Sequence, residues 1–126
     1  MKRDPDLQRE IPLRTEAHGG KREDFVDLSE LHDDADFAGY QVQLLAQEGF
    51  VEVVDARTDD DPYGFEVVEL TPAGQEYLDC VRDPEAWRRV KEGARGIGDS
   101  SLDTLRDVAK AIVRAKLRKW TAGEFE

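Results

Sequence analysis

FVEVVDARTDDDPYGFEVVEL (50–70) is two apolar runs joined by a loop, and the elements on either side are understood from it. FVEVVD (50–55) and GFEVVEL (64–70) are rich in Val and Phe, as strands are. Pro62-Tyr63-Gly64 between them is a strong turn signal, so the stretch reads as a β-hairpin. Upstream, DDADFAGYQVQLLAQEG (33–49) reads as a helix: Asp33, Asp34 or Asp36 suits its positive N-terminal end, and Gly49 terminates it. Phe37, Ala38, Leu44 and Leu45 fall on one side at about 100° per residue, with Tyr40 at the margin. Asp36, Gly39, Gln43 and Gln47 fall on the opposite side, expected to be exposed. Downstream, Thr71 caps a helix with Pro72 at its first position, TPAGQEYLDCVR (71–82), expected to bury Ala73, Tyr77, Leu78 and Val81.

The flanks complete the order. DPDLQREIPLRTEAH (4–18) opens with an Asp-Pro start signal, but Pro12 removes a backbone donor and clashes one turn back. A short or kinked helix ending before Gly19–Gly20 is expected. Phe25–Val26 reads as a short strand, and Asp27 or Ser29 as the cap of a brief helix over Leu28–His32. Helix, short helix, helix, hairpin, helix is the order of a winged helix-turn-helix. Beyond it, DPEAWRRVKEGAR (83–95) repeats the Asp-Pro start and sets Trp87, Val90 and Ala94 on one face. GIGDSS (96–101) is a hinge, and SLDTLRDVAKAIVRAKLRKW (101–120) is a final helix with a capping start. The expectation is an α+β, mostly helical chain: a winged helix-turn-helix with a two-stranded wing over residues 1–82, and two extra C-terminal helices over 83–126.

Composition bounds the function. The chain has 126 residues, enough to bury a core without a staple, and its single cysteine, Cys80, excludes an internal disulfide and a cysteine-rich zinc site. No apolar run approaches a membrane span, and MKRDPDLQRE has no stretch of signal-peptide type, so a cytoplasmic location is expected. The net charge of −11 is unevenly spread. Residues 1–22 hold six basic and four acidic side chains, residues 23–82 two and seventeen, and residues 83–126 ten and eight. The acidity therefore belongs to the middle of the chain, at −15. Asp outnumbers Glu, 16 to 13, and Arg outnumbers Lys, 12 to 6, a balance like the surface of halophilic proteins, whose self-repulsion molar salt screens.

Three stretches carry a resemblance: MKRDPDLQREI, GYQVQLLAQEGFVE and the long block from LTPAGQEYLDCVRDPEAW to RAKL. Met1 to Asp4; Tyr40, Leu44, Leu45 and Gly49; Leu70, Thr71, Gly74, Tyr77 and Leu78; and Arg82, Asp83 and Trp87 match its motifs. The chain resembles an uncharacterised prokaryotic and phage family, domain of unknown function number 2513, over nearly its whole length. Gln41 stands where members often carry His. The resemblance implies a winged-helix-like fold and a phage-like genomic neighbourhood, and supplies no catalytic residue.

The residues themselves assemble no enzyme, so a non-enzymatic protein without cofactor or metal is expected. His18 and His32 lack the near His or Cys companion that a metal site or nucleophile pair needs. GARGIG (93–98) joins two helices instead of following a strand, unlike a phosphate-cradling loop. Asp55, Asp59, Asp60 and Asp61 are oxygen ligands, but their spacing does not match the calcium loop.

Binding remains. Double-stranded DNA is the first expected partner, of a regulator-like protein, with Gln43 and Gln47 able to reach base edges. Lys2, Arg3, Arg106, Lys110, Arg114 and Arg118 are the candidate phosphate contacts, together with Arg9, Arg14, Lys21 and Arg22 along the N-terminal segment. The wing, with Asp59, Asp60, Asp61 and Tyr63, repels phosphate where a DNA-binding wing should attract it. The alternative is an acidic protein-interaction or inhibitor module of DNA-mimic type, with a basic protein as partner. The apolar stripe of the last helix either packs on Trp87 and the core or pairs with its twin. A homodimer through Leu105, Ile112, Leu117 and Trp120 is expected.

Overall fold

A computed structural model describes residues 1–19 and 25–123. Gly20, Lys21 and Arg22 lie outside the described residues. Among the described residues, five helices and one two-stranded antiparallel sheet form a winged-helix-like α+β arrangement.

Helix α1 spans Pro5–His18: the Asp4 carboxylate accepts from the Leu7 N–H, and Gly19 ends the helix at φ 82. It continues through Pro12 as one helix of 14 residues, contrary to the expected early stop. A mid-helix proline costs about 3 kcal/mol in isolation. Here Ile11, Pro12 and Thr15 are all buried, and tertiary packing, the main source of helix stability in proteins, outweighs that cost.

Two further expectations are corrected in the segment that follows. No strand forms at Phe25–Val26; only the Val26 N–H reaches the sheet, donating to the Val67 carbonyl at 3.1 Å. The short helix over Leu28–His32 is a single turn, closed by the Leu31 N–H on the Leu28 carbonyl. Asp27 spends its carboxylate on the Ser29 N–H and hydroxyl, a local loop geometry that competes with helix.

Helix α2, Ala35–Gln47, is capped by Asp34, whose carboxylate accepts from the Asp36 and Phe37 N–H groups. Strands β1, Val51–Asp55, and β2, Phe65–Leu70, pair with a register shift between Glu52 and Val53. Glu52 faces Glu69 and Val53 faces Val67, which leaves Val68 unopposed; both Val67 and Val68 are buried. The bulge turns two consecutive valines into the core, where a regular strand would alternate.

Helix α3, Pro72–Val81, starts on the Thr71 hydroxyl, which accepts from the Gly74 N–H. Ala73, expected inside, is exposed; the inward position belongs to Gly74, where a Cβ would lie 1.9 Å from the Phe50 carbonyl oxygen. Helices α4, Pro84–Ile97, and α5, Leu102–Thr121, open on Asp83 and Ser101 caps, and Gly98 at φ 86 makes the turn between them. The core is continuous across the turn at 82–83: Leu7, Ile11, Leu45, Phe50 and Tyr77 share one cluster with Trp87, Val90, Leu102 and Leu105.

Candidate functional site

The motifs quoted for the family resemblance turn out to tie the elements together. Asp6 accepts from the Trp87 indole at 2.8 Å and from Lys91 at 3.0 Å. Burial pushes the Asp6 carboxyl up, but the indole, Lys91 and Arg9 outweigh it and hold it below its ordinary value. Arg9, once a candidate phosphate contact, donates to the carbonyls of Val81 and Arg82 at the end of α3. Arg14 pairs with Glu30 at 3.3 Å. Arg82 bridges Glu16 and Asp79, and with Gln75 it lowers the Glu16 carboxyl to about 2.

Sequence reasoning missed Gln41. Its side chain is fully buried: the amide oxygen accepts from the Asp4 N–H at 3.0 Å and from Gln8 at 2.9 Å, and its nitrogen donates to the Lys2 carbonyl at 2.9 Å. Gln41 thus fastens the arm that opens the chain. The available signal was its position, three residues after Ala38 and four before Leu45, on the apolar stripe of α2.

Gly39, expected on the exposed side of α2, is buried. The wing tip covers it: a Cβ there would meet the Tyr63 carbonyl oxygen at 2.2 Å, and the Tyr63 ring sits edge-on to Tyr40 at 6.1 Å between centroids. The hairpin loop is laced by its own hydrogen bonds. Thr58 and Asp61 exchange backbone hydrogen bonds, and Arg57, the loop's single cation, forks onto Asp55 at 2.9 and 2.7 Å. That fork and the Arg57 N–H lower the Asp55 carboxyl to about 2. With Arg57 so engaged and lying over the Phe65 ring, Asp59, Asp60 and Asp61 stand exposed at the tip.

Because the wing leans on Gly39, it closes a cleft of ≈ 440 Å³ against the N-terminal half of α2. Its floor is apolar, with buried Val26, Ala38 and Val42 and half-buried Phe65. Its rim is acidic: Asp27, Asp33, Asp61 and Glu66. Phe25, 46% exposed, stands at the mouth. His32 also borders it, its ring 4.8 Å from Phe37 and its Nδ1 accepting from the Asp34 N–H. Among the described residues no group of three or more His, Cys, Asp or Glu could hold a metal ion.

The candidate DNA contacts do not converge on this face. Gln43 is half-buried and Gln47 exposed on α2. Arg3 and Gln47 share a small cavity with Glu48 and Asp103, so acids accompany them. Arg106 is bound to Glu48 at 3.0 Å and to Asp103, with Asp107 at 3.8 Å. Lys110 is half-buried, while Lys2, Arg114 and Arg118 are exposed. Of the dimer candidates, Leu105 is 1% exposed inside its own core and is unavailable to a partner. Ile112 packs at the edge of that core, and Leu117 and Trp120 are exposed. Among the described residues no helix is long and apolar enough to cross a membrane.

An uncharacterized protein of Haemophilus influenzae is 29% identical over 118 residues, covering 93% of this chain and 99% of the relative. No solved structure matches. The model of the hypothetical-protein family DUF2513 matches residues 2–100, and the chain belongs to that family.

Proposed function

We propose that this chain is a non-enzymatic winged-helix module that grips a basic, amphipathic segment of a protein in the cleft between wing and α2. The observation that carries this reading is the cleft itself: an apolar floor ringed by Asp27, Asp33, Asp61 and Glu66. Such a site takes aliphatic side chains inward and Lys or Arg at the rim, where opposite charge sets orientation and on-rate. A duplex is repelled from the same face. Its phosphates would meet Asp59, Asp60 and the acidic start of α2, and neutralised phosphates supply most nonspecific DNA affinity.

A second reading, DNA association through α5, is favoured by one observation. Residues 110–121 carry five cations and no acid.

Fluorescence anisotropy with two labelled probes separates them. One probe is a short helical peptide of Leu, Lys and Arg; the other is a mixed-sequence DNA duplex. The cleft reading expects the peptide to bind and the doubly reversed variant Asp33→Lys/Glu66→Lys to lose about ten-fold in affinity. Duplex binding that disappears on neutralising Arg114 and Arg118, with no peptide binding, would overturn it in favour of DNA.

A further inference from the structure

Helix α5 is held by the core over its first half only. Leu102, Leu105 and Ala109 are buried, and the stripe they begin continues into Val113 and Leu117, which are 46% and 58% exposed. Among the described residues nothing covers that continuation fully. At 1.5 Å per residue, the stretch from Lys110 to Thr121 extends roughly 18 Å. Val113 and Leu117 lie four apart on one face, and Lys110, Arg114 and Arg118, also four apart, line its edge. This is a basic amphipathic helix, the complement of the acidic-rimmed cleft.

Resting on the cleft reading above, we propose that the occupant of the cleft is the distal half of α5 from a second copy of this chain. Val113 and Leu117 enter over Val42 and Phe65, while Arg114 and Arg118 meet Asp33 and Glu66 at the rim. The same protomer carries both halves of the match, so exchange across a two-fold axis satisfies two clefts and two tails and closes the assembly. One-way exchange would leave a free cleft and a free tail at the ends of an open chain. The occupant is chosen by charge. The segment 23–82 stands at −15, whereas 110–121 holds five cations and no acid. Pairing them removes like-charge repulsion within each cleft and covers the exposed stripe in one step. The dimer expected from the sequence is thereby moved: the last helix seats in a cleft and does not pair with its twin.

Light scattering coupled to size exclusion tests this on the full chain. Wild type is expected to be a dimer that weakens as salt rises, since rim pairs are screened. Arg114→Glu/Arg118→Glu and Asp33→Lys/Glu66→Lys are each expected to be monomeric, with dimerisation weakened about ten-fold or more. All four positions are exposed on the surface, and retained helical circular dichroism confirms folding of each variant. An equimolar mixture of the two variants is expected to form a heterodimer, because each reversed tail meets a reversed cleft and each unaltered tail an unaltered one. A dimer that survives reversal of the cleft charges overturns the proposal and assigns pairing to α5 alone. A mixture that stays monomeric overturns it too. A monomeric wild type that still binds the labelled basic peptide sinks the self-pairing and leaves the cleft reading standing. A monomeric wild type that binds no peptide sinks both.

Discussion

Gln41 is where one residue does most. Three hydrogen bonds on a fully buried amide join α2 to α1 and to the backbone of Lys2 and Asp4. Gln41→Leu keeps the volume but strands those partners, and unmade buried hydrogen bonds cost more than made ones contribute. Urea denaturation is expected to show a loss of about 2 kcal/mol. Amide exchange should show the opening arm released. Tyr77 is the opposite case. Its hydroxyl is buried with no hydrogen-bond partner among the described residues, and burial pushes its pKa up. Tyr77→Phe should therefore leave stability unchanged or raise it by up to about 1 kcal/mol; a clear loss would reveal a partner for the hydroxyl. Neither outcome is legible in the sequence. Gln and Tyr on a helix declare polarity, and only the packing says whether the polar atoms find a partner.

At the scale of elements, the starts of the long helices are local and were readable, while the start read at Asp27 or Ser29 produced only a turn. Asp34, Thr71-Pro72, Asp83-Pro84 and Ser101 each begin the helix they announce, because a cap bonds N–H groups two or three residues away. What could not be read is what covers a finished element. Gly39 lies on the side of α2 away from Leu45, yet the wing tip rests on it. Gly39→Ala sets a methyl against the Tyr63 carbonyl and should destabilise by about 1–3 kcal/mol despite better helix propensity. It should also weaken peptide binding by moving the wing. Gly96→Ala in α4 meets nothing within 4 Å and should stabilise by about 0.5–1 kcal/mol; denaturation of both variants checks the contrast.

The tie between α1 and α3 also has a pH signature. The Glu16 carboxyl is lowered from 4.5 to about 2 by the Arg82 guanidinium and the Gln75 amide. A depressed carboxylate stabilises the fold above its unfolded value, so this contribution is complete above 4.5 and is lost as pH falls toward 2. Glu16 and Arg82 are partly exposed, so the effect is small, on the order of 1 kcal/mol or less. Stability of Glu16→Gln should change less across that window than wild type, the two curves converging at its acid end.

At the scale of the whole molecule, charge is the organising quantity. Residues 23–82 carry seventeen acidic side chains against two basic ones, so the segment repels itself. Raising salt from about 0.1 to 1 M shortens the screening length from roughly 10 to 3 Å. Thermal unfolding should therefore shift to higher temperature with added salt, even as the exposed ion pairs weaken. A midpoint that falls with salt would show that ion pairs outweigh the acidic surface.

Helix caps, the hairpin and the charge split were legible along the chain, since each depends on near neighbours or on composition, whereas the strand expected at Phe25–Val26 and the short helix expected over Leu28–His32 do not form. Packing decided that α1 continues through Pro12, that the buried Gln41 amide finds partners on Lys2, Asp4 and Gln8, and that Arg106 is consumed by Glu48. It also decided that Asp59 to Asp61 tip a wing leaning on Gly39 and bounding an acidic cleft. Those outcomes rest on groups far apart in the chain, up to 58 residues for Arg106 and Glu48. Their energies arise from burial and desolvation, which no local pattern encodes.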